Sequence, residues 1–239
     1  MTYLSVIIPA YNEGQRIGET LLKIGEFFKK KNYDYEIIVV DDGSSDDTIL
    51  KAESSIVATE GRLRVVKNGI NKGKGFSVKS GILNSSAEFI LFSDADISTP
   101  IEEVDRLLEY VKKDYDVVIG SRSITGSSVV VHQPWYRELM GKVFNLFVKM
   151  LIMRGFNDTQ CGFKLFKGDV AREIARHMRI NGFAFDVEML HIAKIKKYNI
   201  KECGVLWENS PESKVKLFHS PLNMFLDLFK IKVIHAHLK

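Results

Sequence analysis

The sequence predicts an α/β protein built on a mainly parallel sheet with helices on both faces. Three observations predict it. Short β-branched runs alternate with segments of helical periodicity from Leu4 to Gly120, the order that gives parallel sheets covered by helices. The runs are mostly apolar, as strands buried on both faces are. Three of them end in polar clusters, Tyr11-Asn12-Glu13, Asp41-Asp42 and Asp94-Ala95-Asp96, where such sheets bind ligands beyond the carboxyl ends of their strands.

The elements follow in order. LSVIIP, Leu4–Pro9, reads as a buried strand, and Arg16–Lys31 carries Ile17, Leu21, Ile24, Phe27 and Phe28 at helical spacing. YEIIVV, Tyr35–Val40, is the second strand. Ser44–Asp47 is a turn capping a helix that starts near Thr48, since short polar side chains occupy such positions. Leu63–Lys67 is a third strand, Gly73–Asn84 a helix after a glycine-rich turn, and Glu88–Ser93 a fourth strand. Ile101–Lys113 is a helix opened by Pro100, and Asp116–Gly120 a fifth strand. Beyond it the pattern changes. Ser123–Pro134 lacks periodicity and reads as a loop. Lys142–Arg154 is apolar on almost every side, which favours core burial. Gly168–His177 and Phe185–Lys197 are helices, Ile200–Trp207 a late strand, and Ser220–Leu238 a helix with Leu222, Phe225, Leu226, Phe229 and Val233 on one face. No repeat or linker divides the chain. Residues 1–215 read as one catalytic domain and 216–239 as an amphipathic helical appendage.

Composition narrows the function classes. The 239 residues are 45% hydrophobic and 27% charged, which excludes wholesale disorder. Two cysteines, Cys161 and Cys203, have no CxxC spacing, so a reducing compartment is expected. Met1 leads straight into a strand, so no secretory signal is expected, and no apolar run is long enough to span a bilayer. The net charge of +4 is uneven: residues 122–239 hold 19 basic and 10 acidic side chains. That half is either a solvated surface or meets an anionic partner. Nucleic acid is not expected, because the basic residues are scattered among apolar helices with no recognised module. His132, His191, His219, His235 and His237 lack metal-ligand spacing, and His235 and His237 are expected to be exposed.

The motifs carry the chemistry. The first turn, PAYNEG, lacks GxGxxG, and GxxxxGK[ST] is absent, so dinucleotide and P-loop readings are weak. GINKGKG, Gly69–Gly75, either presents backbone N–H groups to an anion or serves only as a tight turn. Asp94-Ala95-Asp96 is the strongest signal. Two carboxylates at the end of an apolar strand cannot both be buried unpaired. Hard oxygen ligands there suit Mg²⁺ or Mn²⁺ completed by waters and substrate phosphates.

IIPAYNEG, IIVVDDGSSDDT, NKGKG and FSDAD, in this order and spacing, resemble the family 2 glycosyltransferases of the GT-A fold. The resemblance continues through VIGSR (Val118–Arg122), DTQCGFKLF (Asp158–Phe166) and FDVEML (Phe185–Leu190). These later segments are similar to dolichyl-phosphate β-glucosyltransferases and, less closely, to dolichyl-phosphate mannose synthases. The resemblance implies a GT-A fold and assigns roles. Pro9, Ala10, Tyr11 and Glu13 would line the nucleotide pocket, with Asp42 reading base or ribose. Asp94 and Ala95 would face the sugar nucleotide, and Asp96 would be the main metal ligand. Arg122 and Arg137 match positions that hold the acceptor phosphate, with surface arginine as the alternative, and Lys214 resembles a basic residue at the active-site mouth. Asp158, Gln160 and Asp186 would either touch the sugar, support the acceptor loop or belong to a structural hydrogen-bond network.

The implied reaction is transfer of a hexose, glucose before mannose, from a nucleotide sugar to a polyprenyl phosphate, with inversion. A phosphate monoester has a second pKa near ~6 and needs no general base. A saccharide acceptor would need a carboxylate base, with Asp158 or Asp186 as candidate. A third reading is a non-catalytic sugar-nucleotide-binding protein. The basic second half and the C-terminal helix suit peripheral attachment to the cytoplasmic face of a membrane.

Overall fold

A computed structural model describes residues 2–209 and 219–238. The chain runs β1 (Leu4–Ala10), α1 (Ile17–Lys29), β2 (Tyr35–Asp41), α2 (Thr48–Glu53), α3 (Ile56–Thr59), β3 (Leu63–Lys67), α4 (Lys74–Leu83) and β4 (Phe89–Ser93). It continues through α5 (Val104–Val111), β5 (Val117–Ser121), β6 (Ser128–Val131), α6 (Trp135–Leu151), β7 (Phe163–Lys167), α7 (Gly168–His177), α8 (Phe185–Ile195), β8 (Ile200–Gly204), β9 (Leu206–Glu208) and α9 (His219–Ile234).

Seven strands form the main sheet in the order β3-β2-β1-β4-β7-β5-β8. All neighbours pair parallel except β7, which is antiparallel to both β4 and β5. The central strands β1 and β4 are almost wholly apolar because successive side chains enter opposite cores. Ile7, Ile38, Val40, Ile90 and Phe92 pack with α4, α7, α8 and α9. Val6, Ile8, Ile37, Val39 and Leu91 pack with α1 and α5. The direction of the strand order reverses between β1 and β4, and at such a point the strand ends open into a crevice.

Three expectations change. β7 forms from the end of DTQCGFKLF and Lys167, where the sequence predicts no strand. Its Lys164 breaks the apolar pattern, and the ammonium is satisfied by Asp186, far along the chain. The segment 123–134 is not all loop: β6 pairs parallel with β9 in a two-stranded sheet at the rim. α6 starts at Trp135, and Val148 is its only fully buried residue. It lies outside the main sheet and meets the domain through Phe144, Phe147, Val148 and Leu151. Leu146 and Met150 stand 55% and 59% exposed, so the expectation of core burial fails.

The C-terminal segment forms α9. Met224, Leu228 and Ile231 enter the same core as α8, while Leu226, Phe229 and Val233 stay exposed. His235, expected at the surface, is buried against Glu188.

Candidate active site

The polar turns at the strand ends hold one another. The β1–α1 turn is tied to the β2–α2 turn: Asn12 N–H donates to Ser44 Oγ, Glu13 N–H to Thr48 Oγ1 and Gly14 N–H to Asp46 Oδ2, each at 2.8–2.9 Å. The Ser44 to Thr48 stretch therefore serves as much to fix the first turn as to start α2. Asp41 accepts from the N–H groups of Gly43 and Ser44 and closes its own turn. Asp42 accepts from Asn68 Nδ2 (2.8 Å), Lys72 N–H (3.0 Å) and Gly73 N–H (2.8 Å). Its carboxylate thus holds the glycine-rich turn, while its side chain still lines the cleft below.

Three N–H groups of that turn are already taken within the protein. The N–H groups of Lys72 and Gly73 go to Asp42, and that of Gly75 goes to Asn181 O at 2.8 Å. Gly73 holds φ +102°, and a Cβ there would lie 2.4 Å from Asn181 O, so only glycine fits. What the turn delivers is Lys74, whose Nζ pairs with Asp94 Oδ1 at 2.7 Å. Burial works against the Lys74 charge, yet Asp94, Asp186 and Asp96 outweigh it and raise its pKa.

The Asp94-Ala95-Asp96 turn is fastened on three sides. Thr20 Oγ1 of α1 donates to Ala95 O at 2.6 Å, Asp94 N–H to Gly162 O at 3.1 Å, and Ser98 N–H to Asp96 Oδ1 at 3.0 Å. Ile97 holds φ +44°, a conformation a β-branched residue rarely adopts. The Asp94 carboxylate lies directly on Gly162: a Cβ there would sit 2.0 Å from Asp94 Oδ2.

These turns line a cleft of about 690 Å³ beyond the strand ends, within the range of small-molecule sites. It gathers Pro9, Ala10, Tyr11, Glu13, Asp42, Asp94, Ala95, Asp96, Arg122 and Gln160 of the expected residues. It adds Arg16, Lys74, Phe183 and Trp207, which the sequence did not single out. NKGKG pointed to Lys74's turn but not to its side chain. Glu13 pairs with Arg16.

Three expected residues stand apart, and a fourth is not described. Arg137 lies on α6 and is not among the lining residues. Lys214 lies outside the described residues. Asp158 is buried and takes Arg122 in a two-pronged pair, with Nε to Oδ2 at 2.6 Å and Nη2 to Oδ1 at 2.9 Å. Burial works to raise the Asp158 carboxyl, but the Arg122 charge and its hydrogen bonds prevail and lower the pKa. Burial likewise opposes the Arg122 charge, and Asp158 reverses it, raising the pKa. The guanidinium also lies 5.4 Å over the Trp207 ring. Asp186 sits beneath the cleft, paired with the fully buried Lys164. Burial raises its carboxyl against the pull of Lys164 and Lys74. Asp158 and Asp186 therefore belong to structural ion pairs rather than to the cleft wall.

The side chains fit a hard divalent cation in one way. Among the described residues no group of three His, Cys, Asp or Glu could hold a metal alone. Asp96, beside Asp94 in the cleft, offers the one or two carboxylates that a Mg²⁺-type ion uses when substrate phosphates complete its shell.

The family model of Glycosyl transferase family 2 matches residues 5–175. The chain is 37% identical over 241 residues to a dolichyl-phosphate β-glucosyltransferase of Dictyostelium discoideum, covering 96% of this chain and 74% of that protein. It is 34% identical to the Homo sapiens protein of the same name, covering 96% and 75%. Among solved structures it is similar to glucosyl-3-phosphoglycerate synthase of Mycobacterium tuberculosis with Mn²⁺, UDP-glucose and phosphoglyceric acid, with a TM-score of 0.70, 18% identity and coverage of 96% and 79%. Mannosyl-3-phosphoglycerate synthase of Rubrobacter xylanophilus gives a TM-score of 0.67 at 18% identity, covering 99% and 74%. The fold is thus the GT-A fold, as the motifs implied, and the chain belongs to glycosyl transferase family 2.

Proposed function

We propose that this enzyme transfers glucose from UDP-glucose to a dolichyl-type polyprenyl phosphate, with inversion, at the cytoplasmic surface of a membrane. The observation that carries the proposal is the state of the carboxylates a sugar-hydroxyl acceptor would need. Asp158 is clamped by Arg122 and Asp186 by Lys164, so neither is placed to take a proton from an acceptor in the cleft. A phosphate acceptor, mostly dianionic at neutral pH, needs no base. Arg122 lines the same cleft as Asp94 and Asp96. Asp158 takes two of its five N–H donors and leaves the rest of the fork for phosphate oxygens.

In the step, an oxygen of the acceptor phosphate attacks the anomeric carbon and the bond from that carbon to the UDP oxygen breaks. UDP leaves with the electron pair, and the new bond forms on the opposite face. Tyr11 presents a ring on which a base can stack. Lys74 is the ammonium nearest the paired aspartates, placed to meet charge on the departing diphosphate. A Mg²⁺ or Mn²⁺ held by Asp96, with Asp94, would supply Lewis-acid neutralisation of that diphosphate. GDP-mannose is the second donor to test, because the same cleft chemistry would serve it.

Two features support work at a membrane surface. Among the described residues no helix is long and apolar enough to cross a bilayer, yet α6 and α9 expose large apolar side chains beside the cleft. Cys161 and Cys203 are both buried and unpaired, which suits a reducing compartment.

The test is transfer of radiolabel from UDP-glucose, and in parallel from GDP-mannose, to dolichyl phosphate, read as organic-extractable counts with and without Mn²⁺. Metal-dependent counts from UDP-glucose that vanish in Asp96→Ala are expected. No extractable product from either donor, in protein that still binds UDP, would overturn the reading and return attention to saccharide acceptors.

A further inference from the structure

Glu188 of α8 is fully buried and takes no part in the reaction described above. Its Oε1 accepts from Arg179 N–H at 2.8 Å and its Oε2 from Ile180 N–H at 2.9 Å. The remaining partner comes from the far end of the chain: His235 Nε2, just beyond α9, lies 2.7 Å from Oε1. The His235–Glu188 contact is a hydrogen bond whose imidazole is the N–H donor when the carboxyl is the ionised partner.

The loop that Glu188 holds is fused to the cleft. Asn181 O accepts from the N–H groups of Gly75 and Phe76, and Met178 O accepts from Lys79 Nζ. The contacts have no slack: a Cβ on Gly75 would lie 2.4 Å from Ile180 O, as one on Gly73 would from Asn181 O. Between those glycines stands Lys74, paired with Asp94. Gly182 and Phe183, at the other end of the loop, line the cleft themselves. A line of direct contacts therefore runs from His235 through Glu188 and the 179–183 loop to Lys74 and Asp94.

We propose that Glu188, held by His235, is a positioning residue for the donor end of the cleft, so that the seating of the C-terminal helix sets the placement of Lys74. An apolar side chain would fill the same space but could not accept from two consecutive N–H groups. Without the carboxylate both amides lose their acceptor, and the buried one of Ile180 can regain a partner only if the loop shifts. The donor part of this inference rests on the proposed function; the tie itself does not.

The test compares His235→Leu, His235→Gln and Leu228→Ala. Leu228 is buried and apolar in α9, so its truncation is the control for loosening the helix while the His235 tie to Glu188 stays in place. Two readouts are taken: amide hydrogen exchange over 73–76 and 179–181, and equilibrium binding of UDP with the donor KM and kcat. His235→Leu should speed exchange in both segments and weaken UDP binding and raise donor KM about tenfold, with kcat changed less. His235→Gln, which keeps an N–H donor, should restore most of both. If His235→Leu moves exchange and UDP affinity no more than Leu228→Ala does, the proposal is overturned. If the unaltered protein binds no UDP, the donor reading has failed, and the exchange comparison still decides the tie.

Discussion

At the scale of single residues, close approach decides what the site tolerates. Gly162 is where it is because Asp94 lies on its Cα, with 2.0 Å left to any Cβ. Gly162→Ala must push the carboxylate away from Lys74 and out of line with Asp96. Displacements of about 1 Å can cost catalysis about 100-fold, so the variant should lose activity on that order while its melting temperature stays near the parent's. A circular-dichroism melt beside the transfer assay checks both halves. Asp158 gives a pH signature. Its carboxyl titrates below the ordinary value in the folded chain, so the pair with Arg122 contributes full stability above the unfolded carboxyl pKa of about 3.9. That contribution is lost as pH falls through the folded value. The stability gap between the parent and Asp158→Asn should be flat from neutral pH down to about pH 5 and narrow below about pH 4. Urea denaturation across that range measures it, and a gap that widens on acidification would contradict the assignment.

At the scale of elements, the sequence was legible where local pattern and burial agree. β1, β2, β3, β4 and β5 with their intervening helices could be read because an apolar run between polar turns has little else to become. Asp42, Asp94, Asp96 and Arg122 could be placed in one cleft because parallel strands bring their carboxyl ends to one edge. β7 was not legible, because Lys164 and Lys167 in FKLFK argue against a central strand. Only the fold brings Asp186 to Lys164. α6 misled in the opposite sense, since hydrophobicity on all sides suggests a core and this helix lies outside the main sheet. Lys74 and Glu188 escaped because their roles depend on the 179–183 loop, distant from Lys74 in sequence. The buried pair in β7 is itself testable. Removing one partner of such a pair costs about 3–5 kcal/mol, whereas replacing both with apolar side chains is often neutral. Lys164→Met should destabilise by that amount, and Lys164→Met with Asp186→Leu should recover most of it. Urea midpoints for both variants provide the comparison.

At the scale of the whole molecule, α6 and α9 pack side by side, with Phe147 against Phe225 at 4.7 Å between ring centroids. Leu139, Val143, Leu146 and Met150 of α6 and Leu226, Phe229 and Val233 of α9 remain exposed. Large apolar side chains exposed together on two adjacent helices suit a contact surface. Lys142, Lys230 and Lys232 are exposed on the same two helices, and each would contribute about 1 kcal/mol at an anionic bilayer. The surface adjoins the cleft: α6 begins two residues beyond Gln133, which lines it. Gly182 of the lining stands beside Asp227 of α9. An acceptor with its phosphate at Arg122 would leave the cleft near this surface, where an isoprenoid chain needs apolar surroundings. Leu146→Glu and Met150→Glu alter exposed positions, so folding stability should change by less than about 0.5 kcal/mol, whereas Phe229→Glu also gives up the edge contact of its ring with Phe225 and should cost about 0.5–1.5 kcal/mol. Inserting one such side chain into the interface contributes about 1.5–3 kcal/mol, so each substitution should weaken binding to phosphatidylserine-containing vesicles about tenfold or more. Sedimentation with vesicles measures binding, and UDP affinity in the same variants should stay unchanged. Dolichyl phosphate dispersed in detergent should restore their transfer rate, since presentation of the acceptor, and not the chemistry, is what the substitutions remove. Variants that bind vesicles as the parent does would contradict a lipid contact at this face.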